Sequence, residues 1–128
     1  MFVYICCAGG ATSSLLCEKI KKSAIGKLKV HLDPILSVVS DLKAGKLDDY
    51  DIILGYGAAS SITDNFVNEY NLNRLLDLVL IAPQVRFEIN NIQKVMNPYN
   101  IPAEGIDMKT FGYMNGDKIL DKILSYKR

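Results

Sequence analysis

An excess of charge of either sign is what this chain most plainly lacks. Its 15 Lys+Arg stand against 14 Asp+Glu, a formal net charge of +1, which leaves no footprint for nucleic acid. The lysines that do gather (Lys19, Lys21, Lys22, Lys27 and Lys29) read as a solvated face. No stretch approaches the ~20 apolar residues of a membrane-spanning helix, so direct insertion into a bilayer is not expected. The opening MFVYICCAGG has no basic segment, and its apolar run is too short for a signal peptide. A cytoplasmic location follows as the expectation. Three cysteines, two of them adjacent, make no disulfide framework and suit reduced thiols. The one histidine, His31, does not complete a zinc set with them, because structural sites use four spaced ligands. His31 reads as solvated or packed, and neither a metal nor a cofactor is expected. With no low-complexity segment and no linker, residues 1–128 read as one domain.

What is present is an alternation of strand and helix. FVYICC at 2–7 is apolar, β-branched and aromatic, the pattern of a strand buried on both faces. Leu16, Ile20 and Ala24 then fall at helical spacing opposite Glu18, Lys19, Lys21 and Lys22. Further strands are predicted at 28–32, 51–55, 77–82 and near 105–108. Helices are predicted over 13–24, 35–47, around Ile62, Phe66 and Tyr70, and over 84–96 and 116–126. Such a succession implies an α/β three-layer sandwich whose four- or five-stranded sheet is mostly parallel. Ligands of such sheets bind beyond the carboxyl ends of the strands. The loops starting at Cys7, Gly55, Pro83 and Lys109 are therefore expected to share one rim.

The loop after the first strand carries the chemistry. Ala8, Gly9, Gly10, Ala11, Thr12, Ser13 and Ser14 are small or short and polar. Their backbone amides can turn inward, and the following helix adds unpaired N–H groups and its positive dipole end, so the loop reads as an anion cradle. The three hydroxyl residues are expected to donate to an anion or to cap the helix. A thiol at the mouth of such a cradle has its thiolate stabilised and its pKa lowered, which suits a nucleophile that accepts a phosphoryl group. Neither a Walker A loop nor a G-x-G-x-x-G fingerprint is present. The layout resembles the small tyrosine phosphatases, but their C-x5-R arginine is missing, the corresponding residue being Ser13 counted from Cys7 or Thr12 counted from Cys6. A thiophosphate held by amides alone points to a carrier more than to a hydrolase.

Three segments in order, Cys7-Ala-Gly-Gly-Ala-Thr-Ser-Ser-Leu-Leu16, Asp77 through Pro83-Gln84-Val85, and Ile106-Asp107 through Phe111-Gly112 to Asn115-Gly116, resemble enzyme IIB of the bacterial sugar phosphotransferase system, lactose/cellobiose (chitobiose) type. The resemblance implies a fold like that of low-molecular-weight tyrosine phosphatases and flavodoxin. It also implies a phosphocysteine at Cys7, charged by the phosphohistidine of a IIA protein. Cys7 then passes the group to a β-linked disaccharide bound by the membrane-embedded IIC protein, with no metal or nucleotide. A monomer at the inner face of the membrane, attached through IIC, is the expectation. Residues 48–76 are longer than the family's usual connection and read as a family-atypical insertion. Asn115 stands where many relatives have aspartate.

Strand alternation turns Cys7 to the cradle and Cys6 to the opposite face, so Cys6 reads as a small buried hydrophobe and Cys17 as helix packing. Pro83, Gln84, Tyr56 and Phe111 are candidates for the rim or a partner contact. Asp107 and Lys109 read as turn solvation. Two other readings stand beside the carrier: a low-molecular-weight cysteine phosphatase, and a regulatory module that binds an anion or a partner without chemistry.

Overall fold

In the computed structural model, which describes residues 1–127, twelve regular elements alternate along the chain. They are β1 (Phe2–Cys7), α1 (Ala11–Ser23), β2 (Val30–Pro34), α2 (Ile35–Lys43), β3 (Ile52–Ala58), α3 (Asp64–Glu69), α4 (Leu72–Leu75), β4 (Leu78–Ile81), α5 (Ile89–Met96), β5 (Ala103–Gly105), α6 (Met108–Gly112) and α7 (Gly116–Ser125). The five strands form one sheet in the order β2-β3-β1-β4-β5, and every pairing is parallel. Of the four or five strands expected from sequence, five are present. The expected three-layer α/β architecture is the one observed.

Parallel pairing requires cover on both faces, and the register shows how it is supplied. Cys6, Ile81 and Gly105 lie in one row across the sheet. On that face a side chain at Gly105 would meet Ile89 of α5, and one at Gly55 would meet Ile35 of α2. The opposite face carries α1 and α7, which pack on each other so closely that Gly116 abuts the backbone of Lys19 and Ile20. All six residues of β1 are buried, as a central strand covered twice must be.

Several boundaries differ from expectation for local reasons. The helix predicted over 84–96 is split: Pro83–Glu88 is a 3-10 segment with Val85 at φ −119°, ψ 29°, and α5 begins only at Ile89. Of the stripe Ile62, Phe66, Tyr70, only Phe66 lies within α3, since Ile62 precedes the Thr63 N-cap and Tyr70 is the C-cap, and Asn71 at φ 55° then separates α3 from α4. The last strand lies at 103–105 rather than 105–108, because Asp107 is already capping α6. The third strand runs on to Ala58, so its loop starts there and not at Gly55. The strand of residues 48–76, β3, is not appended at an edge. It lies between β2 and β1, and with β3 set aside the remaining strands follow the 2-1-3-4 succession of a flavodoxin-like sheet.

Among the described residues, no helix is long and apolar enough to cross a membrane.

Candidate functional site

The site is built where β1 ends and α1 begins. Cys7 is the last residue of β1, and its side chain, 4% exposed, turns toward the first turn of α1. The chain leaves the strand through Ala8 and Gly9, both exposed, and reverses at Gly10. Gly10 has φ 90°, ψ −20°, a conformation that a side chain disfavours. A Cβ there would also stand 3.3 Å from the Cα of Gly57 on β3. Gly9 differs: a Cβ would meet nothing within 4 Å, so its smallness is not required by packing within the chain.

This turn aims the Gly10 N–H at the Cys7 sulfur, 3.1 Å away. The thiol in turn donates to Ser13 Oγ at 3.4 Å, and the Ser13 hydroxyl donates to the Gly10 carbonyl at 3.0 Å. Ser13 is fully buried, so this three-residue circuit is shielded on one side. The three hydroxyl residues are not equivalent, as the sequence left open. Only Ser13 reaches the sulfur, whereas Ser14 bonds back to Ala11 O at 2.7 Å and Thr12 is exposed. The expected side-chain cap is not made by any of them: Gly10 occupies the N-cap and no side-chain cap bond is present.

Burial alone pushes the Cys7 thiol up. The Ser13 hydroxyl and the backbone N–H groups of Ser13, Gly10 and Gly9 outweigh it, and the net pKa lies below the ordinary thiol value. The other two thiols go the opposite way. Cys6, whose thiol donates to Leu80 O at 3.5 Å, is pushed up to about 12, by burial first and the Cys7 charge second. Burial raises Cys17 as well, followed by the charge of Glu18. Of the three thiols, only that of Cys7 has its proton loosened by its surroundings.

A pH series of iodoacetamide labelling checks this directly. Below its pKa a thiol loses reactivity about tenfold per pH unit. The lowered pKa is expected to keep Cys7 reactive to lower pH than an ordinary thiol, while Cys6 and Cys17 stay silent in the folded protein. Once the thiol ionises, the Ser13 hydroxyl can turn to donate to the sulfur; Ser13→Ala removes that donor and leaves the burial, so the Cys7 profile moves to higher pH by about one unit, with a labelling rate at pH 7 roughly tenfold lower.

Beyond the cradle, Pro83, Gln84 and Phe111 come together. With Arg86, Phe87, Met108 and Gly112 they line an open cavity of about 610 Å³ at the ends of β4 and β5. Phe111 is buried, whereas Phe87 and Met108 are 71% and 68% exposed, so the exposed apolar surface of this rim comes from residues the sequence did not single out. Tyr56 stands apart on β3, half-buried, paired in register with Ile5 and Pro34. Among the described residues no arginine enters the turn after Cys7: Arg86 lines the neighbouring cavity, where its guanidinium meets Met108 Sδ at 3.7 Å. His31 lies against the Tyr50 ring, with Nε2 3.7 Å from the Asp33 carboxylate. Asp107 and Asn115 cap α6 and α7, accepting from the N–H groups of Thr110 and Lys118. Asparagine caps as well as aspartate does.

No protein-family model matches the chain. Among curated proteins, it is 26% identical over 92% of its length to the cellobiose-specific EIIB component of the phosphotransferase system of Lactococcus lactis subsp. lactis, spanning 88% of that protein. It is 27% identical, over the same shares, to the galactose-specific EIIB component of L. lactis subsp. cremoris. Identity rises to 42% over 52 residues of the oligo-β-mannoside-specific EIIB component of Bacillus subtilis, a match that spans half of that protein. Among solved structures, the lactose-specific IIB domain of the phosphotransferase system of Streptococcus pneumoniae superposes over 100% of this chain and 98% of its own, with a TM-score of 0.62 at 19% identity. The chain is thus similar along most of its length to EIIB components and shares the IIB fold.

Proposed function

We propose that the chain is the IIB phosphocarrier of a sugar phosphotransferase system, with Cys7 as its phosphocysteine. The observation that carries this reading is the Cys7 sulfur at 3.1 Å from the Gly10 amide and 3.4 Å from the Ser13 hydroxyl, with no arginine in the loop. The similarity to EIIB components along 92% of the chain supports it.

The chemistry is an in-line exchange. The Cys7 thiolate attacks the phosphorus of a phosphohistidine on the IIA protein. An S–P bond forms, the N–P bond breaks, and the imidazole leaves with the electron pair and takes up a proton. In the second step a hydroxyl of the sugar held by the membrane IIC protein attacks the same phosphorus. An O–P bond forms, the S–P bond breaks, and the hydroxyl proton is lost as the thiolate is restored. The phosphoryl oxygens rest on the amides of residues 8–13, the Ser14 N–H being already given to the Gly10 carbonyl, which makes the group stable in transit without anchoring it. Both partners must reach one sulfur in turn, which fits its place at a rim flanked by exposed Ala8, Gly9, Ala11 and Thr12. The relatives are named for cellobiose, galactose and oligo-β-mannoside, and a β-linked disaccharide is the substrate class proposed here. The protein then works in the cytoplasm, at the inner face of the membrane through IIC.

Incubation with phosphoenolpyruvate, the two general phosphotransferase proteins and a IIA protein of lactose/cellobiose type is expected to add one phosphoryl group per chain, read by intact-protein mass spectrometry. Failure to gain it, under conditions that charge a known EIIB, overturns the proposal. Hydrolysis of an aryl phosphate at steady turnover would instead establish the phosphatase reading, which the arginine-free loop opposes.

A further inference from the structure

Tyr4 is fully buried in the middle of β1. A buried phenol needs a partner for its hydroxyl, and here the partner is not local: the hydroxyl donates to the carbonyl of Ala58, at 2.8 Å, 54 residues away. Ala58 is the register partner of Cys7 in the β1–β3 ladder. Its neighbour Gly57 has no side chain, and a Cβ there would stand 2.6 Å from the Tyr4 hydroxyl. Gly57 is also the residue on which the positive-φ turn at Gly10 rests. The contacts form a continuous column from the Tyr4 hydroxyl through Gly57 and Gly10 to the Cys7 sulfur.

We propose that Tyr4 is a positioning residue of the Cys7 site. Its hydroxyl holds the Gly57–Ala58 end of β3 at the height that aims the Gly10 amide at the sulfur. Phenylalanine would fill the same apolar volume and keep the ring packing, so the hydroxyl is the part of the side chain with this role. Burial, then the charges of Cys6 and Cys7, hold the phenol proton on well above its usual range. The hydroxyl therefore remains a donor throughout the range in which Cys7 ionises. The inference deepens the reading of Cys7 as the reactive sulfur and rests on it.

The test is the pH profile of Cys7 alkylation in Tyr4→Phe, which needs no partner protein. The variant is expected to fold, with an unchanged far-ultraviolet spectrum, and its Cys7 profile is expected to move up by roughly half to one pH unit, a three- to tenfold lower rate at pH 7. A folded Tyr4→Phe with the wild-type profile overturns the proposal. So does a lowered melting temperature with that same profile, since the hydroxyl would then only support the fold. Gly57→Ala supplies the second variant. It drives a methyl against the Tyr4 hydroxyl and is expected to move the profile the same way. In the Tyr4→Phe background, where the oxygen is gone, it is expected to add little. Fully additive shifts would mean that the two residues act separately, and would also overturn it. A chain that takes no phosphoryl group from IIA yet shows these shifts would refute the carrier reading and leave the positioning role standing.

Discussion

Cys7→Ser is expected to abolish phosphoryl acceptance while leaving the fold intact. Serine is close in shape, and its hydroxyl can take up the same contacts with Gly10 N and Ser13 Oγ, at 3.1 and 3.4 Å in the thiol. What it loses is ionisation. The donors around position 7 draw a thiol pKa down, but an alcohol starts several units higher, and among the described residues no general base is hydrogen-bonded to position 7. The acceptance rate should fall by at least about 10³-fold, which in a carrier assay reads as no phosphorylated protein. Cys17→Ser and Cys6→Ser serve as controls that keep acceptance. Cys6→Ser retains a hydroxyl able to donate to Leu80 O, now accepting from the thiol at 3.5 Å. Mass spectrometry after incubation with the donor chain checks all three. A Cys7→Ser variant that gained a phosphoryl group at the wild-type rate would move the site elsewhere.

Gly116→Ala is expected to produce the largest loss of stability from a single added methyl. Gly116 opens α7 and is buried against α1. A Cβ at this position would stand 2.6 Å from the Lys19 carbonyl carbon and 2.9 Å from the Ile20 nitrogen. Both are backbone atoms in the middle of a helix and cannot rotate away as a flexible side chain would. The two helices must separate or shift along each other, and that overpacking is expected to cost about 3 kcal/mol, the upper part of the usual range. For a chain of this size the melting temperature should drop by roughly 10 °C, measurable by calorimetry. The Cys7 labelling profile should hardly move, because Ser13 and Gly10 lie more than a helical turn before Lys19. Gly112 makes the comparison, since a Cβ there meets nothing within 4 Å, and Gly112→Ala should be close to neutral.

The parts of the molecule that were legible in the sequence are those decided by neighbours along the chain. The apolar run before Cys7, the small residues after it and the helical stripe beginning at Leu16 define a strand, a turn and a helix by local pattern alone. The parts that were not legible depend on where other strands lie. Nothing in the order Thr12, Ser13, Ser14 marks the middle hydroxyl. Its role follows from the phase of α1, which turns Ser13 inward and Thr12 out to solvent. Gly9 and Gly10 look alike in sequence, and only the positive φ of Gly10 and its contact with Gly57 show that the second is required. The 3-10 segment at Pro83–Glu88 was hidden because its apolar residues keep helical spacing while Val85 leaves helical geometry.

By itself, then, the sequence determined the class of fold, the place of the small-residue turn after Cys7 and the absence of an arginine from it, because strand periodicity, helix periodicity and loop composition are properties of contiguous residues. The tertiary structure decided the rest. Insertion of β3 between β2 and β1 brings Gly57 under Gly10 and Ala58 beside Cys7. That places the hydroxyl of a residue in β1 beneath the turn that follows the same strand. Contacts of this kind join residues about 50 positions apart through the register of a parallel sheet, and register is set by the packing of both faces together, which no local pattern encodes.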